Sequence, residues 1–404
     1  MLNIIDLFSG CGGLTEGFKE SNKYKLIAAL DWEIDAVKTL RKRLLDRWKV
    51  QNADEIVLHF DIQRIEDLLN GYIDDPTYGS SVGLKSLVNK QSIDAVIGGP
   101  PCQAYSIAGR ISDKHNMQND YRNYLFESYL EVIKFFKPKA CVFENVTGML
   151  SAKPGGISIV SRIKKAFEMA GYVISDDIAK ETVFDLSKFS VPQKRKRVII
   201  AAFSKESFSD PKQKLHEFYQ TLNSYQNSRL KTVGETILDL PPLYPLIEPE
   251  KRRSHTSTDY LKSNKLDHVP RYHNSRDIKI FKLLTNDIKT EQFNYTSVKA
   301  LQNLYTEMTG RRSSVHKYHV LRENEPSNTI PAHLSKDGLR HIHPDPEQAR
   351  SITVREAARL QSFPDDFTFY GSSGSKYKMI GNAVPPQFSL YIANALASVI
   401  TNQA

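Results

Sequence analysis

The chain has 404 residues, 40% of them hydrophobic and 25% charged, a balance that gives room for two globular domains and excludes a disordered or fibrous protein. Its formal charge of +9 and pI near 9.1 fit a polyanionic partner without requiring one. Three cysteines (Cys11, Cys102 and Cys141) are too few and too scattered for a disulfide framework or a C-x-x-C metal site, so no metal is expected.

No run approaches the roughly 20 apolar residues of a membrane span. The opening MLNIIDLFSG reads as a strand rather than a positively charged leader. The expectation is a cytoplasmic protein with reduced thiols and no membrane association. Through the first 200 residues short apolar runs alternate with helical patterns. The runs are NIIDLF (3–8), KLIAALD (25–31), IVLHFD (56–61), IDAVIG (93–98), KACVFE (139–144) and VIIAAF (198–203). Helices are predicted over 34–47, 121–136 and 158–170. In the second, Leu125, Tyr129, Val132 and Phe136 recur at helical spacing. Such alternation predicts an α/β fold, a doubly wound and mostly parallel sheet covered by helices on both faces. Ligands of these sheets bind beyond the carboxyl ends of the strands, so the residues just after each strand matter most. From about 205 the pattern breaks into a loop-rich region with a proline-rich stretch at 240–250. The tail at 376–404 ends in an apolar helix, QFSLYIANALASVI, able to pack back on the sheet.

The strand ends carry the chemistry. DLFSGCGGLTEGF (6–18) joins a strand to a helix through Gly10, Gly12 and Gly13, where a ligand can approach the main chain. Thr15 stands where the last glycine of G-x-G-x-x-G belongs, which weakens a dinucleotide reading. The next strand ends in Asp31-Trp32, a carboxylate for ribose hydroxyls and a ring for adenine, and the third in Asp61, an acceptor for an exocyclic amine. Singly each reads as a helix cap or core aromatic; together the three strand ends favour a nucleoside-containing cofactor. Pro100-Pro101-Cys102 follows the fourth strand and leads into about 20 polar residues that suit a mobile lid. A nearby helix N-terminus or cation would activate such a thiol. Cys141, apolar on both sides, reads as core. Glu144 ends the fifth strand, placed to cap a helix or to protonate a ring nitrogen. In VPQKRKRVII, Gln193, Arg195 and Arg197 share one side of a strand and Lys194 and Lys196 the other. Read alone, KRKR is a solvated basic patch; two arginines aimed inward beside a Cys and a Glu would clamp an anion or carbonyl.

Taken in order, DLFSGCGG, GGPPCQAYS, FENVTGML, QKRKR, REAARLQSFPDDF and GNAVPP resemble the DNA cytosine-5 methyltransferase family, over nearly the whole chain and at compatible separations. The resemblance implies a Rossmann-like S-adenosyl-L-methionine-dependent sheet domain over 1–204 with 376–404. It also implies a target-recognition domain over 205–350 and a bracing segment over 351–375, where Arg355, Glu356 and Arg359 would tie the domains together. The family's chemistry explains the residue types. Cytosine C5 is too electron-poor to take a methyl group unaided, and a thiolate of Cys102 adding at C6 makes it nucleophilic. Glu144 would protonate or bond N3, and Arg197, with Arg195, would hold O2. No side chain stands out for removing the C5 proton.

The resemblance also assigns a cofactor site. Phe8, Gly10 and Gly12 would line the methionine and ribose end, Asp31 the ribose, and Trp32, Asp61 and Ile62 the adenine. Pro100, Leu125, Asn382 and Ala383 would form its walls. Relatives usually carry Glu where Asp31 stands, so the ribose contact has a shorter arm here. The implied substrate is double-stranded DNA with the target base flipped out. Gln103 and Ser106 would meet the displaced nucleotide, and Lys251, Arg252, Arg253, Arg311 and Arg312 the phosphates; either basic cluster reads equally as solvated surface. A monomer that protects host DNA from a cognate restriction endonuclease, without a stable complex between them, completes the expectation. A tRNA-modifying branch of the family carries a Cys-Phe-Thr signature, and this chain has no Cys after 141. A non-catalytic DNA-binding relative would lack the nucleophile or the acid, and both are present.

Overall fold

A computed structural model of the chain describes residues 1–100, 125–245, 266–336 and 338–401. Cys102, Gln103, Ser106, Lys251, Arg252 and Arg253 lie outside the described residues. The chain divides into two compact units, one of Met1–Ser190, Arg195–Ser228 and Ala383–Ala404, the other of Val191–Lys194 and Arg229–Asn382.

The first unit is built on an eight-stranded sheet. Its strands are β1 (Leu2–Leu7), β2 (Tyr24–Asp31), β3 (Val57–His59), β4 (Ala95–Gly98), β5 (Ala140–Val146), β6 (Tyr172–Val173), β7 (Val183–Asp185) and β8 (Lys196–Ser204). The order is β3-β2-β1-β4-β5-β8-β6, with β7 also on β8. The first five run parallel, and β8 is antiparallel to β5, β6 and β7. The chain winds outward from β1 to β3, then starts again at β4 on the other side of β1. The carboxyl ends of β1 and β4 therefore flank the point where the winding reverses, the place such sheets leave open for a ligand.

The longer described helices of this unit are α1 (Gly13–Glu20), α2 (Ile34–Asp46), α3 (Leu125–Phe136), α4 (Ile159–Met169), α5 (Pro211–Ser224) and α6 (Pro386–Thr401). Ile5, Leu7, Leu30, Val96, Leu130, Ile133, Cys141 and Val198 share one core with α3 and α4. Each such side chain contributes about 1.5–3 kcal/mol on burial. The Tyr129 hydroxyl reaches from α3 to the carbonyls of Val96 and Val142, 3.0 and 3.1 Å away, on the adjacent strands β4 and β5. On the opposite side α6 packs on α1. Ser389 Oγ donates to Leu14 O, Tyr24 Oη to Ala393 O, and a Cβ on Gly17 would sit 2.4 Å from Leu390 N. Gly17 is what lets the two helices approach so closely. An 18-residue window within Ser373–Thr401 is apolar enough to span a membrane, contrary to the reading above; it is 72% buried in the fold, as a core helix is.

The unit boundaries differ from the sequence expectation of 204, 351 and 376. Helix α5, capped by Asp210 on the Gln213 amide, belongs to the sheet unit because it packs on β8 and α6. Residues 351–382 fall wholly in the second unit, and the bonds expected to brace two domains run inside it. Arg355 donates to the carbonyls of Leu266, Pro364 and Phe367, and Arg359 pairs with Asp239 and Asp365. The second unit has its own apolar core, with Ile280, Phe281, Leu284 and Leu304 from two helices against Tyr318, Val320 and Ile342.

Beside that core lies a buried polar network. Thr353 and Glu356 form a capping box, and the Arg350 guanidinium meets both Glu356 oxygens at 2.7 Å. His343 Nε2 stands 3.5 Å from the same carboxylate, and His341 Nε2 lies 3.2 Å from Thr329 O. Burial, assisted by neighbouring cations, pushes both imidazoles from 6.5 down to about 3. A base held below its unfolded value gains its proton on unfolding. Its contribution to stability is complete above pH 6.5 and is lost as pH falls toward 3. Between about pH 7 and about pH 5 each histidine should cost roughly 2 kcal/mol. Thermal unfolding of the whole protein at those two values should show the second unit melting several degrees lower at the acid one; an unchanged transition would mean the imidazoles are not held neutral.

Candidate active site

Two clusters stand at the carboxyl ends of the parallel strands. The first gathers around Glu144 near the end of β5. Because β8 is antiparallel to β5, its amino end lies here, with Arg197 opposite Val146 and Ile199 opposite Glu144. The Arg197 Nε donates to Glu144 Oε1 at 2.8 Å, with both side chains about nine-tenths buried (12% and 10% exposed). Burial raises the Glu144 pKa above the ordinary 4.5, and the charges of Arg197 and Arg195 pull it partly back. The net effect is a carboxyl that holds its proton more readily than a surface glutamate. Arg195 is fully buried, and its guanidinium donates to Ala383 O at 3.3 Å. The burial alternation expected for 193–197 is observed, with Gln193 and Arg195 inside and Lys194 and Lys196 exposed.

Two residues that sequence reasoning gave no role complete this cluster. A Cβ on Gly99 would lie 2.8 Å from Glu144 Oε2, so the second glycine of GGPPC leaves the space the carboxyl occupies. Asn145 is buried; its Oδ1 accepts the Val146 amide and its Nδ2 donates to Pro100 O at 3.4 Å. The amide thus ties the end of β5 to the residue two before Cys102. The signal for Asn145 was a polar side chain continuing an otherwise apolar strand.

The second cluster is the glycine turn after β1. Phe8, Gly10 and Gly12 all have positive φ, 59°, 54° and 94°. A Cβ on Gly10 would meet nothing within 4 Å, which leaves open space over the turn. A Cβ on Gly12 would strike the Leu40 side chain, and one on Gly13 the Val384 carbonyl and the Ala383 methyl. Ala383 therefore touches both clusters, one through Gly13 and the other through Arg195. Thr15, in place of the fingerprint glycine, donates to the buried Asp6 carboxylate at 2.5 Å, and burial lifts the Asp6 pKa to about 7.

Asp31 accepts the amides of Gly10 and Glu33, one on each oxygen. Trp32 is half exposed (53%), and His59 Nε2 lies 3.0 Å from its carbonyl. Asp61 accepts the Gln63 amide at 3.0 Å, with Ile62 buried behind it. Pro100 and Leu125 are buried in this unit. Asn382 is the last residue of the helix Ser373–Asn382 in the second unit. Arg311 and Arg312 are exposed there, just after the helix Val298–Thr309. Among the described residues no group of His, Cys, Asp and Glu could hold a metal. Open space above a glycine turn, an exposed indole and two carboxylates at successive strand ends fit a nucleoside cofactor bearing a cationic group.

The family model of the C-5 cytosine-specific DNA methylases matches residues 2–398. The chain belongs to this family. The methylase is 35% identical over 460 aligned positions to the type II methyltransferase M.Bpa9945I of Bacillus paralicheniformis, covering 98% of this chain and 99% of that one. It is 29% identical to M1.HphI of Haemophilus parahaemolyticus, covering 100% and 88%. Among solved structures it resembles the S. pombe Dnmt2 methyltransferase with a TM-score of 0.57 at 14% identity, covering 99% and 100% of the two chains. An E. coli prophage chain described as a DNA modification methyltransferase gives 0.59 at 22%, with both chains fully covered. At these identities the likeness is one of fold. The methylase is thus a DNA cytosine-C5 methyltransferase on a mostly parallel α/β sheet.

Gly99→Ala should leave the protein folded and able to bind S-adenosyl-L-homocysteine while lowering kcat about tenfold or more, because the added methyl displaces the Glu144 carboxyl. Steady-state kinetics beside calorimetric binding checks this; an unchanged kcat would show that Glu144 has room to spare.

Proposed function

We propose that this enzyme modifies cytosine within a specific double-stranded DNA sequence, using S-adenosyl-L-methionine and a covalent adduct between Cys102 and C6 of a flipped base. When bound, the cofactor supplies an electrophilic methyl group. Phe8, Gly10 and Gly12 would hold its methionine and ribose end, Asp31 the ribose, and Trp32, Asp61 and Ile62 the adenine, with Pro100, Leu125, Asn382 and Ala383 around it. The observation that carries the reading is the Glu144–Arg197 pair beside Gly99 and Pro100, in a chain matched by the family from 2 to 398.

The chain's own residues divide the work. The Cys102 thiolate forms a bond to C6, and the ring's C5–C6 π electrons move toward C5. Glu144, biased toward its protonated form by burial, donates a hydrogen bond or proton to N3, so negative charge does not build up on the ring. Arg197 orients that carboxyl through its Nε and, with Arg195, offers positive charge to O2. One preorganised donor of this kind is worth ~3 kcal/mol of barrier. After methylation water takes the proton from C5, the C–H electron pair re-forms the C5–C6 double bond, and the Cys102 sulfur leaves C6 as thiolate. Gln103 and Ser106 would steady the displaced nucleotide, and Lys251, Arg252, Arg253, Arg311 and Arg312 would neutralise phosphates.

The type II methyltransferase names of M.Bpa9945I and M1.HphI support a modification enzyme. In this proposal it acts as a cytoplasmic monomer that shields host DNA from a cognate endonuclease without a stable complex. Bisulfite sequencing of DNA from a methylation-free host expressing the protein should reveal one short modified motif; random or absent modification overturns the reading. Cys102→Ala should abolish methylation and the detergent-stable adduct with 5-fluorocytosine DNA while retaining S-adenosyl-L-homocysteine binding. Glu144→Gln should lower kcat by about 10²–10⁴-fold with the fold intact; near-wild-type turnover in either variant removes that residue from the mechanism.

A further inference from the structure

We propose that Asp31 is a positioning residue whose main work is to latch the glycine turn through the Gly10 amide, with contact to the ribose secondary; the inference rests on the cofactor reading above. The turn after β1 places Phe8 in the left-handed region at φ 59°, a conformation that side-chain-bearing residues adopt only where their surroundings impose it. What imposes it is the end of β2. The Ser9 amide donates to Leu30 O at 2.9 Å, and the Gly10 amide donates to Asp31 Oδ2 at 2.8 Å. Two consecutive amides are thus fixed by two consecutive residues of the neighbouring strand, and the Gly12 amide closes the turn on Ser9 O at 2.9 Å.

The other oxygen, Asp31 Oδ1, accepts the Glu33 amide at 2.9 Å at the start of α2. One carboxylate therefore spans the turn after β1 and the helix after β2. The short aspartate arm sets one oxygen on each of the two amides. It exchanges reach for preorganisation: the turn is already set before the cofactor arrives, and less ordering remains to be done on binding.

The two roles order the variants differently. Asparagine has one acceptor oxygen, which keeps the Gly10 amide bond at the expense of the Glu33 one, and it loses the charge a ribose ligand would use. Glutamate keeps the charge and reaches further, but loses the latch. Backbone hydrogen exchange of residues 7–13 in the ligand-free protein should therefore quicken roughly tenfold in Asp31→Glu and Asp31→Ala, and stay within about threefold of wild type in Asp31→Asn. The Kd for S-adenosyl-L-homocysteine should follow the same order, and KM for the methyl donor should rise with kcat nearly unchanged. A ribose ligand predicts the reverse, with Asp31→Glu binding at least as well as wild type and Asp31→Asn worst. That order, or unchanged exchange in the Glu and Ala variants, overturns the latch while wild-type binding stands. A wild-type protein that binds no S-adenosyl-L-homocysteine overturns the cofactor reading itself.

Discussion

The Glu144–Arg197 ion pair depends on one reversal of direction in the sheet. Arg197 is the second residue of β8, and in a parallel strand it would lie at the far edge, away from every strand end that carries a candidate group. Running antiparallel, β8 delivers its amino end to the carboxyl end of β5, and the guanidinium meets the carboxylate at 2.8 Å. The five parallel strands supply the glycine turn, the aspartates and the Gly99-Pro100 corner; the antiparallel strand supplies the charge.

That charge bears directly on the Glu144 carboxyl. A carboxyl buried this deeply would strongly favour its neutral form, and a carboxylate paired with two arginines would strongly favour its ionised one. Glu144 stands between these limits, its pKa raised above the ordinary carboxylate value by burial and pulled partly back by the two arginines. Asn145 and Gly99 do the geometric part, one tying β5 to the Pro100 carbonyl and the other leaving the carboxyl its space.

The strand ends were legible in the sequence because each apolar run stops visibly and hands over to a polar residue. Asp31, Asp61 and Glu144 announced themselves in this way, and the alternation through 193–197 was readable from a two-residue period. Their residue types suggested roles beside plainer structural readings, and the resemblance chose between the two. Other features depend on partners far away in the chain and left no local trace. Arg195 reaches Ala383 across 188 positions, and Thr15, which looked like a broken fingerprint, is explained only by the carboxyl of Asp6 behind it. The antiparallel course of β8 was hidden because its apolar run is the same in either direction. The boundary at 228 was missed because α5 continues the helical covering of the sheet after the composition has already changed.

The packing of α6 on α1 sets the order in which the molecule can be completed. The bond from Ser389 to Leu14 links residues 375 positions apart, and that from Tyr24 to Ala393 links residues 369 apart. A nascent chain emerging from the ribosome therefore exposes one face of helix α1, and the narrow notch at Gly17, until α6 has been made. Ala383, which touches the turn and the arginine alike, arrives equally late. During that interval the uncovered face is what a chaperone, or a misdirected neighbour, would meet first.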